Sequence, residues 1–151
     1  MSRLFELGGR WEVVPRTDPY VRRLADRHYP RRRVGWDRVG GPGRVLVLRS
    51  TDCRAGWLSY FTHHPDDGLD AYRCAMFRNE GTTLSSELIV EATDLTVRLW
   101  GPPPPDGWAT YVDTAQVRST NPGYCFLAAG WRRDPTYTPD RRRRTLVRLR
   151  A

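Results

Sequence analysis

The sequence predicts a single α+β domain, residues 1–151, with a mixed, mostly antiparallel central sheet flanked by helices. Short apolar runs bounded by turn residues indicate strands, and they are interrupted by three segments with helical patterning. The predicted order is strand, helix, three antiparallel strands, turn, helix, strand, helix and strand. A chain of 151 residues, 39% of them hydrophobic, supports one hydrophobic core.

The first predicted strand covers residues 11–14, and a helix follows it. Asp18 is suited to the N-cap of this helix and Pro19 to its first turn. The helix should end near Tyr29, because a residue before proline disfavours helical geometry. The glycine-rich, basic segment 30–43 then predicts a surface loop.

Three strands are predicted next, at residues 45–48, 57–61 and 71–77. A turn leads into a helix that begins near Leu84 and is ended by four consecutive prolines, Pro102 to Pro105. The remaining elements are a strand at 109–113, a short helix from Asn121 to the C-cap Gly130, and a closing strand at 145–149.

Charge and cysteine usage narrow the classes of function. The net charge is +8, and all 25 basic residues are arginine, whose guanidinium group matches phosphate oxygens and base edges. A coding bias toward arginine would explain the absence of lysine but not the excess of positive charge. Three widely spaced cysteines, no signal-like start and no long apolar run predict a cytoplasmic protein without a membrane partner.

The turn at residues 77–87 carries the most information about function. It joins a predicted strand to a predicted helix, and its glycine and small residues suit a loop with outward-pointing backbone N–H groups. Such a loop at a helix N-terminus binds phosphate without needing a lysine. The candidate cofactor-binding residues are Arg78, Asn79, Gly81, Thr82, Thr83 and Ser85.

The order of elements and this turn resemble the GNAT acyltransferases. In that family the turn after the fourth strand has the pattern Gln/Arg-x-x-Gly-x-Gly/Ala, and Arg78-x-x-Gly81-x-Thr83 matches two of the three positions. Asn121 and Gly130-Trp131 resemble the ends of a late GNAT helix. The resemblance implies acetyl-CoA or a related acyl-CoA as cofactor.

A narrower resemblance is to the Mom-type DNA-modification proteins of phages, an offshoot of the GNAT fold. It lies in residues 25–29, 77–89 and 117–131. It implies conversion of the exocyclic amine of adenine in double-stranded DNA to an acetamido-type adduct, which protects phage DNA from restriction in a bacterial host.

The same resemblance implies a set of catalytic residues: His28, Tyr29, Asp113 and Tyr124. It also raises Fe(II) as a bound metal, for which His28 is the strongest candidate ligand. One departure concerns Phe126, which stands where ordinary GNAT enzymes have the tyrosine that protonates the leaving thiolate. Tyr124 points to a different side of the helix, so the leaving-group acid stays open.

Chemistry on an adenine in duplex DNA requires the base to be flipped out and stacked between side chains. The candidate DNA-binding residues are Arg31, Arg32, Arg33 and Trp36, in the loop after the His28-Tyr29 pair. Further candidates for stacking on the base are Trp57, Tyr60, Trp108 and Trp131, although most tryptophans in a small domain belong to the core.

Simpler interpretations remain open. His28 could end its helix by packing below Leu24, and the arginine run could be a solvated surface. The chain could instead be a GNAT-type N-acetyltransferase that uses acetyl-CoA on a small amine or protein, or a DNA-binding protein without catalysis. The oligomeric state is not predicted by the sequence.

Overall fold

The computed structural model describes residues 9–27, 38–115, 123–139 and 146–151. These residues form a seven-stranded sheet with the strand order β1-β2-β3-β4-β5-β7-β6. The strands are β1 (Trp11–Val14), β2 (Arg44–Ser50), β3 (Ala55–Phe61), β4 (Tyr72–Asn79), β5 (Trp108–Asp113), β6 (Arg132–Arg133) and β7 (Leu146–Arg150). The helices in the described ranges are α1 (Pro19–Asp26), α2 (Ser85–Trp100) and α3 (Tyr124–Ala128).

Neighbouring strands are antiparallel except β4 and β5, which are parallel. The predicted α+β class, with a mixed, mostly antiparallel sheet and few helices, is therefore confirmed. None of the helices in the described part of the chain is long and apolar enough to cross a membrane.

Local sequence signals account for the positions of most elements. Asp18 caps α1 as predicted, because its carboxylate accepts a hydrogen bond from the N–H of Val21 at 3.0 Å. Gly130 follows α3 with a φ of 98°, the left-handed conformation that favours glycine after a helix. Strand β6 was not predicted, since two consecutive arginines give no strand pattern.

Two hydrophobic clusters lie on opposite faces of the sheet. The larger cluster joins the sheet to α2 and α3 around Trp57, which is fully buried. The indole N–H of Trp57 donates to Ser59, and the Ser59 hydroxyl is hydrogen-bonded to Thr96 of α2 at 2.7 Å. The smaller cluster packs Val21 and Ala25 of α1 against the other face. Each face of the central strands therefore carries its own layer of core.

The sheet is irregular at β4 and β5. Ser59 pairs with Cys74 and Leu58 with Met76, so Ala75 is an extra residue in β4 with no partner in β3. β4 and β5 pair at only two positions, Tyr72 with Trp108 and Arg73 with Ala109. One residue further on, the Thr110 hydroxyl donates to the Cys74 carbonyl at 2.9 Å. The strands continue beyond this bond without paired positions, so the sheet opens between their carboxyl ends.

Candidate functional site

The turn between β4 and α2 is shaped by the side chain of Asn79. Its amide nitrogen donates to the Thr83 carbonyl at 2.7 Å and to the Ser85 hydroxyl at 3.0 Å. Its amide oxygen accepts a hydrogen bond from the N–H of Gly81 at 2.9 Å. Asn79 therefore supports the turn from within, and its own polar atoms are occupied by this role.

Part of the predicted cradle of backbone N–H groups is available to a ligand. The N–H of Glu80 donates to the Arg54 carbonyl at 2.8 Å, and that of Gly81 is held by Asn79. Five further N–H groups have no acceptor among the described residues: those of Thr82, Thr83, Leu84, Ser85 and Ser86. They lie at or just before the positive end of a 16-residue helix, whose N-cap makes no side-chain bond.

Gly81 allows a close approach between this turn and the turn that joins β2 to β3. A Cβ atom at Gly81 would lie 3.1 Å from the Cβ of Arg54 and 3.1 Å from Oδ2 of Asp52. Any larger side chain would therefore push the two turns apart. The glycine in the sequence pattern is explained by this proximity.

A three-residue ion cluster stands beside the turn. Glu80 accepts from Nε and Nη2 of Arg27 at 2.7 and 2.8 Å and from Nε of Arg78 at 2.5 Å. These bonds, that from Arg27 foremost, lower the pKa of Glu80 to about 2. Arg78 is thus already paired, and it would have to exchange Glu80 for a phosphate in order to bind one.

Sequence reasoning did not assign a role to Glu80, although a carboxylate two positions after an arginine was a visible signal. Glu87, another carboxylate near Arg78 in the sequence, is not its partner. Glu87 instead accepts a hydrogen bond from Arg10 at 2.7 Å.

Several predicted site residues lie outside the described residues: His28, Tyr29, Arg31, Arg32, Arg33 and Trp36. Their roles stay predictions. Arg27, which precedes His28 in the sequence, is described, and its carbonyl accepts a hydrogen bond from Arg78 at 2.7 Å. The carboxyl end of α1 is therefore fastened to the turn that follows β4.

The structure places Asp113, at the end of β5, and Tyr124, at the start of α3, on opposite faces of the sheet. Asp113 ends β5, is partly buried, and accepts a hydrogen bond from the N–H of Ala115 at 3.0 Å. α3 begins against Val112, since a Cβ at Gly123 would lie 3.5 Å from that side chain. Side chains alternate along a strand, so Asp113 points to the face opposite Val112. Tyr124 is 63% exposed, which excludes a core role for it.

The burial of the aromatic residues settles two further expectations. Phe126 is buried and packs against Trp57, Phe77 and Trp131, so it serves the core. Trp57, Trp108 and Trp131 are at most 5% exposed and cannot stack on a base in this conformation. Of the described stacking candidates, Tyr60 alone is partly exposed.

Within the described ranges, no group of three or more His, Cys, Asp or Glu side chains is arranged to hold a metal ion. The expected Fe(II) site depends on His28, which lies outside the described residues, so it stays a prediction.

No protein-family model, no curated protein and no solved structure matches this chain. The likeness to GNAT and Mom-type proteins thus remains one of short residue patterns and of their order along the sheet.

Proposed function

We propose that this protein is a GNAT-like DNA-modification enzyme that transfers an acyl-derived group from an acyl-CoA-type donor to the exocyclic amine of adenine. The observation that carries the proposal is the turn after β4, where unpaired N–H groups at the start of α2 meet the opening between β4 and β5. N–H groups at a helix N-terminus suit a pyrophosphate. The opening would let the rest of the donor pass between the strands.

The candidate catalytic residues adjoin two elements near this opening, α1 and β5. Arg27 joins the end of α1 to the turn, and the next residue in the sequence is the candidate base His28. Asp113 ends the strand on the far side. Ala75, exposed and without a partner residue in either neighbouring strand, lies on β4 beside the same opening.

The residues would then perform an amine acylation. His28 or Asp113 removes a proton from the adenine amine while its nitrogen forms a bond to the thioester carbonyl carbon. The carbon–sulfur bond breaks, and the thiolate leaves with a proton. Phe126 has no proton to give, so a water molecule or Tyr124 supplies it.

The test is nucleoside mass spectrometry of plasmid DNA from cells that express the protein. We expect a deoxyadenosine adduct with the wild-type protein and none with Gly81→Val, because the valine would push the turn that carries the cradle away from the β2–β3 turn against which it packs. Gly41→Val is the matched control, since a Cβ there meets nothing within 4 Å.

Unmodified deoxyadenosine in cells that hold soluble, folded protein would contradict the proposal, as would full modification by Gly81→Val. Release of coenzyme A thiol with a polyamine or peptide, unaffected by DNA, would instead support the alternative N-acetyltransferase. Salt-dependent DNA binding without any adduct would indicate a binding protein.

A further inference from the structure

A second concave site lies away from the phosphate-type turn. A cleft of about 1220 Å³ opens where β3 ends and β4 begins, and it extends to the segment after β6. Its lining carries six aromatic rings, those of Tyr60, Phe61, His63, His64, Tyr111 and Tyr137, and no leucine, isoleucine, valine or methionine. Walls of this kind favour a flat ligand with polar edges over an acyl chain.

The aromatic wall is held in place by contacts among its own members. The rings of Tyr111 and Tyr137 lie 5.5 Å apart at 69°, and the guanidinium of Arg148 lies 4.9 Å from the Tyr137 ring. Phe61 and His63, whose rings are 5.0 Å apart and edge to face, also line the cleft, but Phe61 packs against the larger core cluster, on the face of the sheet opposite Tyr111. A ligand entering the cleft would meet the Tyr111–Tyr137 pair already oriented.

Asp67 fixes the base of the cleft. It accepts two hydrogen bonds from Arg73, one from the hydroxyl of Tyr111 and a fourth from the N–H of Leu69 at 3.0 Å. Its acceptor capacity is largely used within the protein. Asp67 therefore orients Tyr111, and ring stacking is left as the main means of holding a ligand.

The position of the cleft relates it to the proposed reaction. Tyr111 and Asp113 are two residues apart on β5, so their side chains point to the same face. Their Cα atoms are roughly 7 Å apart, given the rise along a strand. A ring stacked on Tyr111 would lie beside the strand end that carries the candidate catalytic aspartate.

We propose that this cleft receives an unstacked nucleobase of the DNA substrate, stacked against the Tyr111–Tyr137 pair and near His63, which also lines the cleft. The inference rests on the proposed function for the choice of ligand. The chain's charge of +8 supplies the attraction for the phosphates on either side of such a base.

The experiment measures base-dependent binding with no acyl donor present. The probe is a DNA duplex with one 2-aminopurine opposite an abasic site, compared with a duplex that lacks the 2-aminopurine base. We expect the protein to quench the 2-aminopurine fluorescence and to bind the base-containing duplex about tenfold more tightly, as for stacking of one base on aromatic rings.

The variants test which rings are responsible. Tyr137→Ala should abolish both the quenching and the tenfold preference, whereas Tyr137→Phe should keep them because the ring remains. Tyr20→Ala is the matched control, since Tyr20 is an exposed tyrosine on α1 and does not line the cleft. His63→Ala, in an exposed loop position, should weaken the preference for the base-containing duplex severalfold. If Tyr137→Ala fails to fold, this variant tests the inference in its place.

The inference is overturned if binding leaves 2-aminopurine unquenched or if Tyr137→Ala and His63→Ala retain the full preference. Its failure is distinguishable from that of the proposed function. If cells expressing Tyr137→Ala and cells expressing His63→Ala each contain as much deoxyadenosine adduct as cells with the wild-type protein, the cleft assignment alone is overturned. A base-dependent preference without any adduct would support the cleft and overturn the transfer reaction.

Discussion

The turn after β4 and the aromatic cleft are each organised by a carboxylate, Glu80 in the turn and Asp67 in the cleft. The ion pairs of the two carboxylates differ in how much of each side chain is exposed to solvent. At the turn, the side chains of Glu80, Arg78 and Arg27 are 31%, 33% and 49% exposed. In the cleft, those of Asp67 and Arg73 are 18% and 13% exposed. Exposed ion pairs are weak and exchange readily, whereas enclosed pairs are costly to break. The first arrangement suits an exchange of partners, and the second suits a fixed framework.

The largest effect should follow from breaking the enclosed pair. Asp67→Ala leaves the Arg73 guanidinium and the Tyr111 hydroxyl without their shared acceptor, so the free energy of unfolding should fall by about 3 kcal/mol. Denaturant unfolding measures this change. The adjacent, exposed Asp66→Ala is the control and should alter stability by about 0.5 kcal/mol or less. Equal effects of the two substitutions would show that the cleft carboxylate is not a framework residue.

The second largest effect should come from lowering the pH, which should affect the contributions of Asp67 and Glu80 to stability differently. Burial raises the pKa of Asp67, but hydrogen bonds from Arg73 and Tyr111 outweigh it and bring the pKa to about 2. The pKa of an aspartate in the unfolded chain is about 3.9. Because the folded-state pKa is depressed, the stabilisation is complete above about pH 5 and is lost as the pH falls toward 2.

Unfolding measurements between pH 7 and pH 2 test this difference. Asp67→Asn should be less stable than the wild type at pH 7, and the gap should narrow through that acid window. Glu80→Gln should show a smaller gap at pH 7, because solvent screens its ion pairs. A gap for Asp67→Asn that stays constant down to pH 2 would contradict the assigned protonation behaviour.

The smallest effect on stability, and the most informative for function, is expected at the turn. Glu80→Gln should change the free energy of unfolding by less than about 1 kcal/mol. It should also tighten coenzyme A binding severalfold, since Arg78 no longer has an ionised partner to exchange for phosphate. Calorimetric titration with coenzyme A measures the affinity. In an Arg78→Ala background the same substitution should bring no gain, and a persistent gain would mean that Glu80 does not act through Arg78.

Much of the fold could be predicted from the sequence because its signals are local. Asp18 with Pro19, the proline run that follows α2, and the alternating apolar strands each specify a boundary or a face within a few residues. Strand β6 and the unpaired Ala75 were not predictable in this way. Both depend on which distant strand lies alongside, and neither leaves a pattern in its own segment.

The candidate site was predictable only in part for a similar reason. Gly81 and the small residues after it gave the position of the turn, because close backbone approach requires them locally. The pairing of Glu80 with Arg27 joins residues 53 positions apart, and that of Asp67 with Tyr111 joins residues 44 positions apart. Such contacts are set by the tertiary fold.

The two-position contact between β4 and β5 has a consequence for the dynamics of the sheet. In most sheets the central strands hold the amides that exchange most slowly with solvent, and the edges exchange first. Here the weakest strand pairing lies in the middle of the sheet. β1 to β4 and β5 to β7 form two halves, joined by two paired positions and by the hydrogen bond from the Thr110 hydroxyl to the Cys74 carbonyl. Small rotations of one half against the other would widen or narrow the gap without breaking either set of strand pairs.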